Sequence, residues 1–193
     1  MSPGRPRPAP DPRGAGPLQS RRIRLGISAC LLGDQVRYDG GHKRDTYLTD
    51  VLGPQIEWVK VCPEVEIGMG TPREPIELVD EGGRIRLFSV TTRVDYTASM
   101  TAYAARRADA LADEGLSGFI LKTDSPSCGV IGVKVHATDG SFSRTGAGLF
   151  AQALLARFPD LPIEEEGRLA DPQRRAQFLE RVFAYHHRRS QSP

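Results

Sequence analysis

No run in this sequence is apolar over the length that spans a bilayer, and the N-terminus lacks the apolar centre of a secretory signal. These absences argue against an integral or exported protein and lead us to expect a soluble, cytoplasmic chain. Cysteine is scarce as well: Cys30, Cys62 and Cys128 are the only three. An odd number so widely spaced argues against a disulfide framework, and without a C-x-x-C pair the usual signature of structural zinc is missing. With 193 residues the chain is long enough for one domain with a full core and short for two.

The formal charge is +2, but it is unevenly placed. Residues 1–22, "MSPGRPRPAPDPRGAGPLQSRR", hold five arginines against Asp11, so the rest of the chain is mildly acidic. Dense Pro and Gly without apolar periodicity cannot bury enough surface to offset chain entropy, and the segment reads as a disordered tail. Its prolines would also break the amphipathic helix of an Arg-rich transit peptide. Residues 23–165 then read as an α/β domain, and 166–193 as a C-terminal helix and tail.

From "RIRLGISAC" onward, short β-rich apolar runs alternate with longer helical stretches, the order of a mostly parallel sheet flanked by helices. Strands are expected over Ile23 to Ala29, over "IEWVKVC", over "LSGFILK" and in "VIGVKVH". Two more are expected either side of the Gly82-Gly83 turn, and a short one from Leu161 to Ile163. Helices are expected from Lys43 to Leu52, in "DYTASMTAYAARRADALADEG", in "AGLFAQALLARF" and in "DPQRRAQFLERVFAYHHRR". The second of these places Met100, Tyr103, Ala104, Ala108 and Leu111 on one face, a core stripe, with Gly115 as its cap. The last has Asp171 as N-cap and Pro172 at the first helical position.

Each cysteine falls at or just beyond the end of an expected strand: Cys30 after the first, Cys62 at the second, Cys128 in the loop "SPSCG" after "LSGFILK". A buried cysteine is most often a small core hydrophobe. In an open parallel sheet, however, ligands bind beyond the carboxyl ends of the strands, and three thiols there could meet at one site. Soft sulfur donors favour zinc, copper(I) or an iron–sulfur cluster, with His42 or His136 as a fourth ligand in the zinc case. A cubane held by three cysteines would keep one iron open as a Lewis acid. Glu64, two residues beyond Cys62, is placed for general acid or base work, with Glu66 in reserve. Ser125 and Ser127 could donate hydrogen bonds, and Lys122 adds positive charge before their loop. In the loop after Cys30, Tyr38 and Asp39 could contact a polar heterocycle, and Arg37, Lys43 and Arg44 a ribose or phosphate.

Taken in order, "CLLGDQVRYDGG", "VCPEVEIGMGTPREPIELV", "DYTASM" and "LKTDSPSCG" resemble the thiouracil desulfidase family over residues 23 to about 150. The resemblance implies a 4Fe-4S cluster held by Cys30, Cys62 and Cys128, with the fourth iron free to take sulfur from a thiolated base in a non-redox reaction. "CPEVEIGMGTPREP" and the C-terminal stretch are similar to the longer members that act on 4-thiouridine in tRNA, although their additional C-terminal domain is not expected here. The implied substrate is a thiolated pyrimidine: 4-thiouracil, or 4-thiouridine free or in tRNA. Two other readings stand beside it. One is a metal-binding sensor or interaction module without turnover; the other is an enzyme in which Cys128 itself is the nucleophile.

Overall fold

The structure, a computed structural model, describes residues 22–191. The basic tail, apart from Arg22, lies outside the described residues, as do the last two positions. Four strands, β1 (Ile23–Ser28), β2 (Ile56–Val61), β5 (Gly118–Leu121) and β8 (Ile163–Glu165), form a sheet in the order β2-β1-β5-β8. Every pairing in it is parallel, with Ile27 opposite both Lys60 and Ile120. The expected α/β class with a parallel sheet is therefore present.

A second sheet was not foreseen. β3 (Ile76–Asp80) and β4 (Ile85–Ser89) form the hairpin about Gly82-Gly83, and β6 (Val133–Ala137) joins β3 in parallel. β7 (Phe142–Gly146) completes the order β4-β3-β6-β7. "FSRTG" has no buried residue, so it lacks the apolar alternation by which a strand is recognised.

The helices are α1 (Pro63–Glu66), α2 (Thr97–Asp113), α3 (Leu149–Arg157), α4 (Glu166–Leu169) and α5 (Pro172–Gln191). The parallel sheet separates two apolar layers. On one side Leu25, Ile27 and Ile120 pack with Phe178 and Val182 of α5. On the other, Phe119 and Leu121 meet the α2 stripe, Phe150 of α3 and Leu78 and Leu87 of the second sheet. Alternate residues of β5 thus serve opposite layers, as the period of two requires. The stripe Met100, Tyr103, Ala104, Ala108 and Leu111 is buried as expected. Among the described residues no helix is long and apolar enough to cross a membrane.

The ends of α2 and α5 also follow the sequence. Gly115 takes φ +68° just beyond α2, and Asp171 accepts the Gln173 N–H at 2.8 Å. The helix expected from Lys43 starts only at Tyr47, as a π-helical turn, with Asp45 just before it accepting the Leu48 N–H at 3.0 Å. The last short strand lies two residues later than expected, at Ile163–Glu165, which carries Glu165 up to the end of β5.

Candidate active site

The carboxyl ends of β1, β2 and β5 face one cavity of about 510 Å³. Cys30 lies in the tight turn Ala29–Leu32 that follows β1, and Cys62 is the N-cap residue of α1, directly after β2. Cys128 sits in the loop after β5, and all three line the cavity as free thiols. Burial pushes the Cys30 thiol up to about 11, with neighbouring Cys62 adding to the rise. Burial likewise raises Cys62, and raises Cys128 further. A thiol held in its neutral form is a poor nucleophile, which weighs against direct attack by Cys128; a bound metal would deprotonate it outright.

Beside Cys128 runs a chain of hydrogen bonds. The Ser127 hydroxyl donates to Glu64 Oε1 at 2.7 Å, and Ser125 Oγ lies 3.0 Å from Ser127 Oγ. Glu64 Oε2 takes the other side, paired with the Arg73 guanidinium through both Nε and Nη2. Arg73 also donates to the Val36 carbonyl at 3.0 Å and to Gly70 at 2.8 Å, and its side chain is only 6% exposed. Both Arg73 bonds converge on Oε2, which leaves Oε1 to accept from Ser127. Ser125 also braces the backbone, since its Oγ accepts the Cys128 N–H at 3.1 Å in the turn-capping role that the sequence suggested.

The Cys128 loop rests on the start of α3. Ser127 C=O accepts the Phe150 and Ala151 N–H groups at 2.9 and 3.2 Å, and Gly129 C=O accepts Gly148 N–H at 2.7 Å. At Gly148, φ is −63°, open to any residue, so glycine is there for space. A Cβ would lie 2.4 Å from the Ser127 carbonyl carbon and oxygen and 2.6 Å from Cys128 N. Gly148→Ala must push the loop away, at a cost of about 1–3 kcal/mol. We expect lower denaturant midpoints from this variant, measurable on the purified protein.

The remaining expected contacts are unevenly placed. Tyr38, Arg37 and Lys43 line the cavity, Arg37 standing over the Tyr38 ring at 5.2 Å. Lys122 also lines it, but its ammonium is paired with Glu166 and donates to the Thr123 carbonyl at 3.1 Å. Asp39 is outside the lining, accepting Gly41 N–H at 3.0 Å and facing Arg37 at 3.4 Å. Arg44 is also away from the wall, paired with Asp50. Glu66 accepts the Cys62 N–H at 3.0 Å, so it holds the cysteine's backbone in place. His136 lines the cavity beside Glu77, whereas His42 accepts the Arg44 N–H outside it.

A cavity walled by three cysteines at strand ends has counterparts in known proteins. The profile of the 2-thiouracil desulfurase family matches residues 25–166, a span holding all three cysteines. The chain belongs to that family. It is 32% identical over 133 residues to the uncharacterized protein YbbK of Bacillus subtilis (strain 168), covering 66% of this chain and 87% of that protein. It is also similar to a solved structure of the 4Fe-4S-dependent thiouracil desulfidase TudS, at 31% identity and a TM-score of 0.59, covering 77% of this chain and 94% of that one.

The residues of this family member fit such a cluster. Three soft donors, none in a disulfide, share one cavity wall. Among the described residues no three His, Cys, Asp or Glu side chains gather round one point as a single metal ion requires. Three residues of this site have no role legible from sequence alone. Arg73 lies inside the motif "CPEVEIGMGTPREP", and its signal is a carboxylate needing a buried partner. Glu165 and Glu166 belong to "PIEEEG", and their meeting with the Cys128 loop depends on the β5-β8 pairing, which no local pattern announces.

Proposed function

We propose that this protein is a desulfidase that removes sulfur from a thiolated pyrimidine, giving the oxygenated base and sulfide. The ring is 4-thiouracil, and 4-thiouridine, free or in tRNA, is the larger form to test. The observation that carries this reading is the placement of three free thiols and the hydrogen-bonded Glu64–Ser127 pair on one cavity wall. Support also comes from the family match and from the similarity to TudS.

In this reading Cys30, Cys62 and Cys128 hold a 4Fe-4S cluster. When bound, the cluster supplies an open iron that acts as a Lewis acid toward the thione sulfur. The rest is the work of side chains. Glu64 takes a proton from the attacking water, its position set by Arg73 on one oxygen and Ser127 on the other. Ser125 and Ser127 orient the ring through their hydroxyls, and Lys122 and Tyr38 bound the pocket that receives it. Arg37 and Lys43 suit a ribose or phosphate where the substrate carries one. In the net reaction water adds at the thione carbon, the carbon–sulfur bond breaks, and the two water protons leave with sulfur as hydrogen sulfide. No electrons are gained or lost.

Turnover of 4-thiouracil and 4-thiouridine in water enriched in oxygen-18 tests the reaction class. The expected product carries the label at the carbon that bore sulfur, with sulfide in equal amount. Sulfur loss that requires a reductant, or product without label, contradicts hydrolysis. A bound cluster with no turnover of either compound would instead favour the sensor reading.

A further inference from the structure

Glu165 is a buried carboxylate that the reaction outlined above does not use. Its residue is only 3% exposed, at the last position of β8. It accepts the Val130 N–H at 2.6 Å and the Ile131 N–H at 3.4 Å, both just past Cys128. Among the described residues it has no ion-pair partner, whereas its neighbours do: Glu164 faces Arg168 and Arg181, and Glu166 is paired with Lys122. A buried carboxylate without a cation is costly unless strong hydrogen bonds offset the lost hydration. Here those bonds come from the backbone of the cysteine loop.

Glu166 grips the other end of the same loop, accepting Thr123 N–H at 2.6 Å and Thr123 Oγ1–H at 3.0 Å. Two consecutive residues therefore hold the segment that carries Ser125, Ser127 and Cys128 at its beginning and its end. Because the short strand ends at Glu165 and α4 starts at Glu166, the chain turns there and sends the two side chains to the two ends of the loop. This explains why β8 must sit at Ile163–Glu165: β5 pairs with it through Leu121 and Glu165, which brings the carboxylate to the loop leaving β5.

We propose that Glu165 is a positioning residue of the desulfidase, anchoring the loop from behind so that the Cys128 sulfur and the Ser127 hydroxyl keep their places opposite Cys62 and Glu64. The proposal rests on the cluster reading above, but its first readout does not. Glu165→Gln retains a carbonyl acceptor and Glu165→Ala retains none; Glu164→Gln is the control, since it alters a neighbouring carboxylate that has no bond to the loop and keeps a carbonyl oxygen for the Glu165 N–H it accepts at 3.1 Å.

In the metal-free proteins, amide hydrogen exchange at Val130 and Ile131 is expected to quicken in Glu165→Ala and to remain at the wild-type rate in Glu164→Gln. In the cluster-loaded proteins, Glu165→Ala should release iron to a chelator about tenfold faster or more, and lower kcat per bound cluster by a similar factor, the size usual for outer partners of a metal site. KM for 4-thiouracil should change less than kcat, the visible circular dichroism of the cluster should alter, and Glu165→Gln should restore most of each loss. Unchanged exchange at Val130, or wild-type kcat per bound cluster and an unaltered spectrum in Glu165→Ala, would overturn the proposal. If Glu165→Ala does not fold, Glu165→Gln carries the test, since losing the charge-assisted bond should still quicken both exchange and iron release, and wild-type rates for both would refute it. Wild-type protein that binds no cluster defeats the cluster reading, while the exchange result still decides the anchoring role.

Discussion

Replacing Cys128 by alanine is expected to abolish the proposed cluster binding and, with it, desulfidase turnover, while leaving a folded protein. The cause lies in how the loop is held. Its backbone is fixed by α3 through Ser127 and Gly129, by Glu166 at Thr123 and by Glu165 at Val130. None of these bonds uses the Cys128 sulfur. Removing the sulfur costs on the order of 1 kcal/mol in packing, an ordinary value for a single substitution. Iron content after anaerobic reconstitution, far-ultraviolet circular dichroism and sulfide release on one preparation check this result. Full turnover in a preparation of Cys128→Ala without iron would contradict the account.

Glu64→Gln is expected to lower kcat by about 10²- to 10⁴-fold, the range for loss of a general acid or base. The effect on KM should be smaller. Glutamine fills the same space and can still accept from Ser127, but its amide group then faces Arg73, setting donor against donor. That guanidinium is nearly buried but keeps the Val36 and Gly70 carbonyls, so loss of its carboxylate partner is destabilising by less than about 3–5 kcal/mol, the cost of a buried charge left with none. Thermal unfolding must therefore be recorded beside kcat. Arg73→Lys separates the two effects, because it retains charge near Glu64 but cannot supply the pair of donors that converge on Oε2. We expect Arg73→Lys to lose stability together with some kcat, and Glu64→Gln to lose far more kcat than its stability explains.

Much of this site was legible in the sequence because its chemistry clusters at strand ends. Cys30, Cys62 and Cys128 could be gathered from the α/β order alone, since parallel strands bring their carboxyl ends to one side. Glu64, Ser125 and Ser127 were candidates from their nearness to those cysteines, without a choice between the serines, and all three line the same cavity. Partners far apart in the chain could not be read this way. Arg73 reaches Glu64 across a loop, and Glu165 reaches Val130 only because β8 lies beside β5. Lys122 was assigned a charge near the substrate, yet Glu166, 44 positions later, is paired with that charge. Asp39 looked well placed beside Tyr38, but the turn to Gly41 draws its carboxylate to the backbone.

The fold shows the same division. The α2 stripe and the caps Gly115 and Asp171 are local signals, and they stand where the sequence placed them. The second sheet is a long-range arrangement in which one strand, β7, carries no apolar pattern. β6 was recognisable as a strand but not by its sheet, because pairing with β3 rather than β5 leaves no mark in "VIGVKVH". Local periodicity reports which residues form strands, and partner choice is decided by packing across the core.

The central claim is that three cysteines and one carboxylate make a hydrolytic desulfurising site. It is tested most directly by counting iron and acid-labile sulfide in anaerobically purified protein and assaying 4-thiouracil and 4-thiouridine on the same sample. The account predicts about four iron and four sulfide per chain, with thione loss matched by sulfide release and proportional to cluster content. Thiobase conversion that persists after the iron has been removed, or a full cluster that converts neither compound, would contradict it.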